Sequence, residues 1–214
     1  MKVTKLGHCC MLIETSGLRI VTDPGCWSGG KQNSLKDIDL LIITHEHADH
    51  FDIEMLQTML QNNPNAKVIT NSSVGKLLAE AKIDFEVIEN GQNNSFSGVE
   101  IAGYGDKHAE IYENYGMVQN TGYFVDKTLF YPGDAFINPD RKVPLLALPI
   151  AGPWLSTKEA INYAKELAPQ HAFGVHDGML GFIGPYHNLP ANLLKDQLNW
   201  HAQVDIHTEL TIEI

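Results

Sequence analysis

The chain of 214 residues is expected to adopt an α/β fold, and three observations predict it. Strand-like and helix-like stretches alternate through the first half, the signature of an α/β layer. Leu40 to Thr44 is uniformly apolar or β-branched, which reads as a strand buried on both faces. No linker composition separates the two halves, so residues 1–214 are read as a single domain, long enough for one substantial core.

Taken in order, Val3 to Leu6, Cys10 to Glu14 and Leu18 to Thr22 read as short strands, with Thr15-Ser16-Gly17 as a hairpin turn. Asp23-Pro24-Gly25 ends the third, and Cys26 to Ser34 is a Gly-rich loop that either covers a site or is a surface excursion. Asp52 can cap a helix with Ile53, Leu56, Met59 and Leu60 on its apolar face, stopped at Asn62-Asn63-Pro64-Asn65. Lys67 to Thr70 is a strand, Ser72 to Ala81 a helix, Phe85 to Ile88 a strand, and Glu89 to Asn94 a turn-rich connection. Val99 to Tyr104 is a strand, and 109–120 has no clean period and is read as loop. Gly122 to Val125 and Thr128 to Tyr131 form a hairpin around Asp126-Lys127. Leu145 to Ile150 is a buried strand, and Ser156-Thr157-Lys158-Glu159 is a capping-box start for a helix. Ala172 to Val175 is a strand, Gly181 to His187 a flexible loop, Pro190 the opening of a helix through Trp200, and Val204 to Ile214 a terminal strand.

Composition narrows the function classes. The formal net charge is −11, and the 15 Lys and Arg residues are scattered. A phosphate backbone needs a clustered basic surface, so nucleic-acid binding is not expected. Three cysteines without a CxxC arrangement fit a reduced cytoplasm better than a disulfide framework or a thiolate zinc site. The first fifteen residues carry only a short apolar run, so neither a signal peptide nor a membrane span is expected, and the location expected is cytoplasmic.

The chemistry concentrates at the end of the buried strand, where His45, His47, Asp49 and His50 fall within six residues. A rigid strand ending in three imidazoles and a carboxylate presents metal ligands on a firm support. In extended chain His45 and His47 point to one side and could share an ion, while Asp49 and His50, past the turn, could reach a second. His108, Asp134 and His176 repeat one local grammar: a short apolar run, a turn, then a metal-competent side chain. Strand ends on one edge of an α/β layer converge. The set offers five imidazoles and two carboxylates, with Asp134 suited to bridge two cations.

His45-Glu46-His47-Ala48-Asp49-His50 resembles the HxHxDH signature of the metallo-β-lactamase superfamily, and His108, Gly133-Asp134 and His176 follow in that family's chain order. Gly7-His8, Leu12-Ile13-Glu14-Thr15 and Asp23-Pro24 look like its small bacterial branch related to L-ascorbate-6-phosphate lactonase. The chain departs from that branch at Ala135, where threonine is common, and in its shorter length. The resemblance implies an αββα four-layer sandwich with a dinuclear site at one edge of the two sheets. It places His45, His47 and His108 on a first metal, Asp49, His50 and His176 on a second, and Asp134 between them. Two divalent ions, zinc first with manganese or iron as alternatives, would activate a bridging water as hydroxide, with Asp49 orienting it and receiving its proton. The expected function is hydrolysis of a small polar ester, a lactone or a phosphodiester. The alternatives are an RNA-processing nuclease of the same superfamily and a non-catalytic metal-binding or sensing module.

Around the ligands, His8 is a candidate to line the site, His187 to contact substrate or protonate a leaving group, and Tyr112 to wall a substrate pocket beside Tyr115 and Trp154. Asp23 is expected to brace the ligand loops by hydrogen bonds rather than bind metal. The partner expected is a small-molecule substrate, with no membrane and no nucleic acid. A homo-oligomer stays open, because sandwiches of this kind often associate.

Overall fold

The structure, a computed structural model, describes residues 1–205 and 207–214. Strands β1 (Lys2–Gly7), β2 (Cys10–Thr15), β3 (Leu18–Thr22) and β4 (Leu40–Ile42) precede helix α1 (Ile53–Asn62). Then come β5 (Lys67–Thr70), α2 (Ser72–Glu80), β6 (Phe85–Val87), β7 (Asn93–Phe96), β8 (Val99–Tyr104), β9 (Gly122–Val125), β10 (Leu129–Tyr131) and β11 (Leu145–Pro149). Helix α3 (Thr157–Leu167), β12 (His171–Val175), α4 (Gly184–Leu193), β13 (Asn199–His201) and β14 (Leu210–Glu213) complete the chain.

Two seven-stranded mixed sheets result, in the orders β14-β1-β2-β3-β4-β5-β6 and β13-β12-β11-β10-β9-β8-β7. The period-2 alternation of a strand decides how they stack. Leu40 and Ile42 join Met11, Ile20, Val99, Tyr123 and Phe173 in the core between the sheets. Leu41 and Ile43 face the other way, onto Leu56 and Met59 of α1 and Val74 and Leu78 of α2. The second sheet turns Phe130, Leu146 and Leu148 outward onto Ala160, Ile161 and Ala164 of α3. The architecture is therefore αββα, as the strand buried on both faces requires.

The helix starts follow capping chemistry. The Asp52 carboxylate accepts from the Glu54 and Met55 amides, both at 3.0 Å, a cap worth about 1 kcal/mol. Ser156 and Glu159 form the reciprocal capping box of α3. Asn71 caps α2 and also donates to the Thr44 carbonyl at 2.8 Å, tying that helix to the ligand-bearing strand.

Four segments differ from the sequence expectation. Asn93–Phe96 is an edge strand, β7, with three polar exposed residues and no apolar alternation to announce it. The helix near the end covers Gly184–Leu193, so Gly181 to His187 is not all loop. Pro185 occupies its first turn, where a missing N–H costs nothing, and Pro190 lies inside it. The segment expected to continue that helix instead forms β13, pairing Asn199 and Trp200 in parallel with His171 and Ala172. The expected strand over 204–214 is confined to Leu210–Glu213, and Ile206 lies outside the described residues. Among the described residues no helix is long and apolar enough to cross a membrane.

Candidate metal centre

The C-terminal ends of β3, β4, β5, β10, β11 and β12 and the β1–β2 turn meet at one edge of the two sheets. Parallel pairing of β3 with β4 and β5, and of β10 with β11 and β12, makes these ends coincide. The Thr121 amide donates to the Thr44 carbonyl at 3.0 Å, stitching the sheets together there. All seven residues expected as ligands gather at this edge in two groups. Ligand atoms of His45, His47 and His108 lie within 4.8 Å of one another, as do those of His8, Asp49, His50 and His176. Asp134 stands between the groups: Oδ1 is 3.2 Å from His50 Nε2, and Oδ2 is 2.8 Å from His176 Nε2 and 3.3 Å from His108 Nε2.

The orientation of four of the five imidazoles follows from an outer neighbour. A carbonyl oxygen can only accept, so His108 Nδ1 donates to Ala109 O at 2.6 Å and His176 Nδ1 donates to Ala151 O at 2.6 Å. The Asp23 carboxylate holds His50 Nδ1 at 2.8 Å. His45 Nδ1 lies 3.0 Å from Thr44 Oγ1, whose own hydroxyl donates to Asp23 Oδ2 at 2.7 Å. Each Nδ1 is thereby occupied and each Nε2 is turned inward, the arrangement by which outer partners prepare histidines for a metal. Asp23 also accepts from the Thr44 amide at 2.8 Å and from the Tyr131 hydroxyl at 2.5 Å. It is the brace expected of it, not a member of either ligand group.

Nε2 of His45, His50, His108 and His176, and Oδ1 of Asp134, are buried without a hydrogen-bond partner. Leaving a buried polar atom unpaired costs about 1–3 kcal/mol, so five at one edge of the sheets call for a cation. The charges agree: Asp23, Asp49 and Asp134 have only imidazoles as ion-pair partners among the described residues. Burial pulls the His45 imidazole well below its usual range and also lowers His47, keeping their lone pairs free. Burial works against protonation of His50 too, but Asp134 and Asp23 outweigh it and hold that imidazole well above its usual range. A metal ion would displace that proton.

The remaining candidates divide. The His8 side chain is fully buried and lines a cavity of about 420 Å³ with Trp27, Lys31 and Leu180. Its Nδ1 accepts from the Gly178 amide at 3.0 Å, so neutral His8 carries its proton on Nε2, which is 3.1 Å from Asp49 Oδ2. Burial lowers its pKa to about 4, against a pull upward from Asp49. His8 is therefore a donor to Asp49 rather than a ligand. Burial would raise the Asp49 pKa, but the His8 hydrogen bond and the His50 charge bring it down to about 2. His187 does not face the site, contrary to expectation. It is 1% exposed, its Nε2 is 2.9 Å from Asp177 Oδ2, and its Nδ1 accepts from the Gln203 amide at 3.3 Å. The helix that replaces the expected loop turns it inward. Tyr112 is 70% exposed, on the loop whose Gly116 passes His47: a Cβ there would lie 3.8 Å from the ring.

Sequence reasoning read Trp154 only as a pocket wall and missed other contributors altogether. The Trp154 indole donates to Asp134 Oδ2 at 2.9 Å and packs between His108 and His176. Asn120 accepts from the Asp134 amide at 3.0 Å and donates to Pro132 O at 2.9 Å, fixing the turn that presents Asp134. Next to His176, buried Asp177 pairs with buried Lys5 at 2.5 Å, and Lys5 also donates to Gln203 at 2.8 Å. The one available signal was a lysine within the strand-like run Val3 to Leu6.

A sequence profile described as "Beta-lactamase superfamily domain" matches residues 2–176. Over 185 residues the chain is 30% identical to Protein Rv0786c of Mycobacterium tuberculosis, spanning 84% of this chain and 85% of that one. It is 27% identical over 196 residues to the UPF0173 metal-dependent hydrolase PF1764 of Pyrococcus furiosus, spanning 82% and 84% of the two chains. Among solved structures, Igni18, a metallo hydrolase from the hyperthermophilic archaeon Ignicoccus hospitalis, matches over 100% of both chains with a TM-score of 0.76 at 20% identity, a likeness of fold.

Proposed function

The chain belongs to the metallo-β-lactamase superfamily and aligns with metal-dependent hydrolases within it, and from that premise we propose that it hydrolyses a small polar ester, a lactone or a phosphodiester, at a dinuclear metal centre. The observation that carries this reading is the gathering of five buried, unpartnered atoms, from His45, His50, His108, His176 and Asp134, in adjoining groups at one edge of the sheets. His45, His47 and His108 would hold one divalent ion, Asp49, His50 and His176 the other, and Asp134 both. Zinc suits the imidazole-rich set best, with manganese or iron as alternatives. The ions, when bound, supply the Lewis acidity that lowers the pKa of water and polarises the bond under attack.

The protein's own part is orientation and proton handling. Asp49 has a side chain 17% exposed, the most open carboxylate of the cluster, so it can meet both substrate and incoming water. His8 Nε2–H holds one of its oxygens, which leaves the other free to align the attacking water and take its proton. With a pKa of about 2, Asp49 is ionised at neutral pH and so offers its oxygen as an acceptor to the water's O–H. Trp154 fixes Asp134 in the same way, so the carboxylate between the two groups cannot swing. No Lys or Arg pairs with these carboxylates among the described residues, so balancing their charge would fall to the ions.

The test is elemental analysis of protein purified without chelator, joined to assays on simple lactones and bis(p-nitrophenyl) phosphate. About two equivalents of metal and turnover abolished in Asp134→Ala are expected. Near-zero metal, with no uptake of added zinc or manganese, would refute the proposal.

A further inference from the structure

One buried sulfur lies beside this centre without a role. Cys9 follows His8 in the β1–β2 turn and is 1% exposed. Its backbone is fixed, because its carbonyl accepts from Thr22 Oγ1 at 2.9 Å. Its Sγ, a ring nitrogen of His50 and an oxygen of Asp134 all lie within 4.8 Å of one another, forming a third, fully buried group. Ligand atoms around one tetrahedral zinc ion sit roughly 3.3–3.8 Å apart, given bond lengths of about 2.0–2.3 Å. The group's bound of 4.8 Å is about 1 Å wider, a gap the side chains would close on binding.

A buried cysteine usually serves as a small apolar side chain, and Cys9 does pack into the inter-sheet core. Two facts set it apart. Its neighbours in the group, His50 and Asp134, each also carry a buried atom with no hydrogen-bond partner of its own. The other buried cysteine, Cys10, points to the opposite face of the sheet, among Leu12, Leu41 and Leu56. Sulfur therefore reaches the site from one position of two adjacent ones.

We propose that Cys9 is a thiolate ligand to the ion held by His50 and Asp134, which makes the second metal position a mixed N, O, S site selective for zinc-like ions over manganese. The inference rests on the dinuclear reading above. On binding, the thiol releases its proton to solvent and the sulfur forms one bond to the ion, with no change of oxidation state. A soft ligand at this point favours zinc, cadmium or cobalt and disfavours manganese, whose preference is for oxygen.

Cobalt(II) loading separates the outcomes, because a thiolate bound to cobalt gives an intense near-ultraviolet charge-transfer band, whereas imidazole and carboxylate ligands give only the weak visible bands. The wild-type protein with two equivalents of cobalt should show the band. It should persist in Cys10→Ala/Cys26→Ser, where Cys9 is the sole sulfhydryl, and vanish in Cys9→Ser while the visible bands remain. The zinc-over-manganese preference should fall about tenfold or more in Cys9→Ser, the scale on which a lost supporting interaction acts at a metal site. Two bound cobalt ions without the band would overturn the proposal and leave the dinuclear site standing. Failure to bind cobalt at all would overturn both. A band that survives Cys9→Ser, or is lost from the variant keeping only Cys9, would also overturn it. The second variant decides the matter if Cys9→Ser does not fold.

Discussion

Replacing Asp23 by asparagine should disable metal binding without touching a ligand. The carboxylate accepts four hydrogen bonds: the Thr44 amide at 2.8 Å on Oδ1, and the Thr44 hydroxyl at 2.7 Å, the His50 Nδ1 at 2.8 Å and the Tyr131 hydroxyl at 2.5 Å on Oδ2. Asparagine keeps one acceptor and turns an NH2 toward the other side. If its oxygen keeps the Thr44 amide, the NH2 faces two hydroxyls, which can rotate to accept, and His50 Nδ1–H, which cannot. His50 must then carry its proton on Nε2, the atom aimed at the ion. If the amide flips, the buried Thr44 N–H loses its acceptor, at a cost of about 1–3 kcal/mol in the strand that carries the ligands. Loss of a partner of this kind lowers metal affinity about 10–100-fold, which is about 1.4–2.8 kcal/mol. Competition against a chelating dye would give the affinity, and nitrogen-15 spectra of the metal-free variant at alkaline pH would give the His50 tautomer. A loss below about threefold, or a proton that stays on Nδ1 while affinity falls, would refute the reasoning.

Other perturbations reach other parts of the frame. Lys5→Met leaves Asp177 buried without its cation and should destabilise the fold by about 3–5 kcal/mol, read by urea unfolding, whereas Lys5→Met/Asp177→Leu should recover much of it. Gly25→Ala would set a Cβ 2.0 Å from the Asp49 carbonyl oxygen, so the ligand loop must shift and metal content per chain should fall even if the protein folds. His8 has a folded pKa of about 4 against an unfolded 6.5. Between those values the unfolded chain binds the extra proton, so stability rises with pH across that window, is full above 6.5 and is lost as pH falls toward 4. The difference is about 3 kcal/mol at about 1.4 kcal/mol per pKa unit. Unfolding of chelator-treated protein at several pH values should show a flatter dependence in His8→Gln; an unchanged slope would contradict it.

Where the sequence was legible, the information was local. The hexapeptide His45 to His50 carries its spacing on its face, Asp52 and Ser156 announce their helices by capping, and the apolar run at Leu40 has room only in a strand covered twice. Asp23 could be read as a brace because it ends a strand at the same edge. What stayed hidden was set by partners far along the chain. His187 looks like a loop residue until α4 forms and Asp177, Gln203 and Lys5 close around it. Trp154 acquires its role from Asp134, twenty residues away, and β13 exists only because β12 offers it an edge. The Gly-rich stretch after Asp23 forms two 3-10 turns, and its Trp27 edge meets His8 with ring centroids 5.2 Å apart.

The pairing of Lys5 with Asp177 has a consequence for the order in which the molecule can be made. The two residues are separated by 172 positions, and β1 also pairs along its other edge with β14, where the Met1 ammonium reaches the Ile214 carbonyl across 213 positions. Contacts this distant close large loops before they gain any stabilisation, which slows folding. As the chain leaves the ribosome, β2, β3 and β4 can associate early, but β1 has its buried lysine without a counter-charge until β12 and the segment after it have been synthesised. His8, at the end of β1, and His176, one residue before Asp177, therefore reach their places together and late. An ion supplied during synthesis would meet His45, His47 and His50 long before the second half of the site, so complete loading belongs to the finished chain.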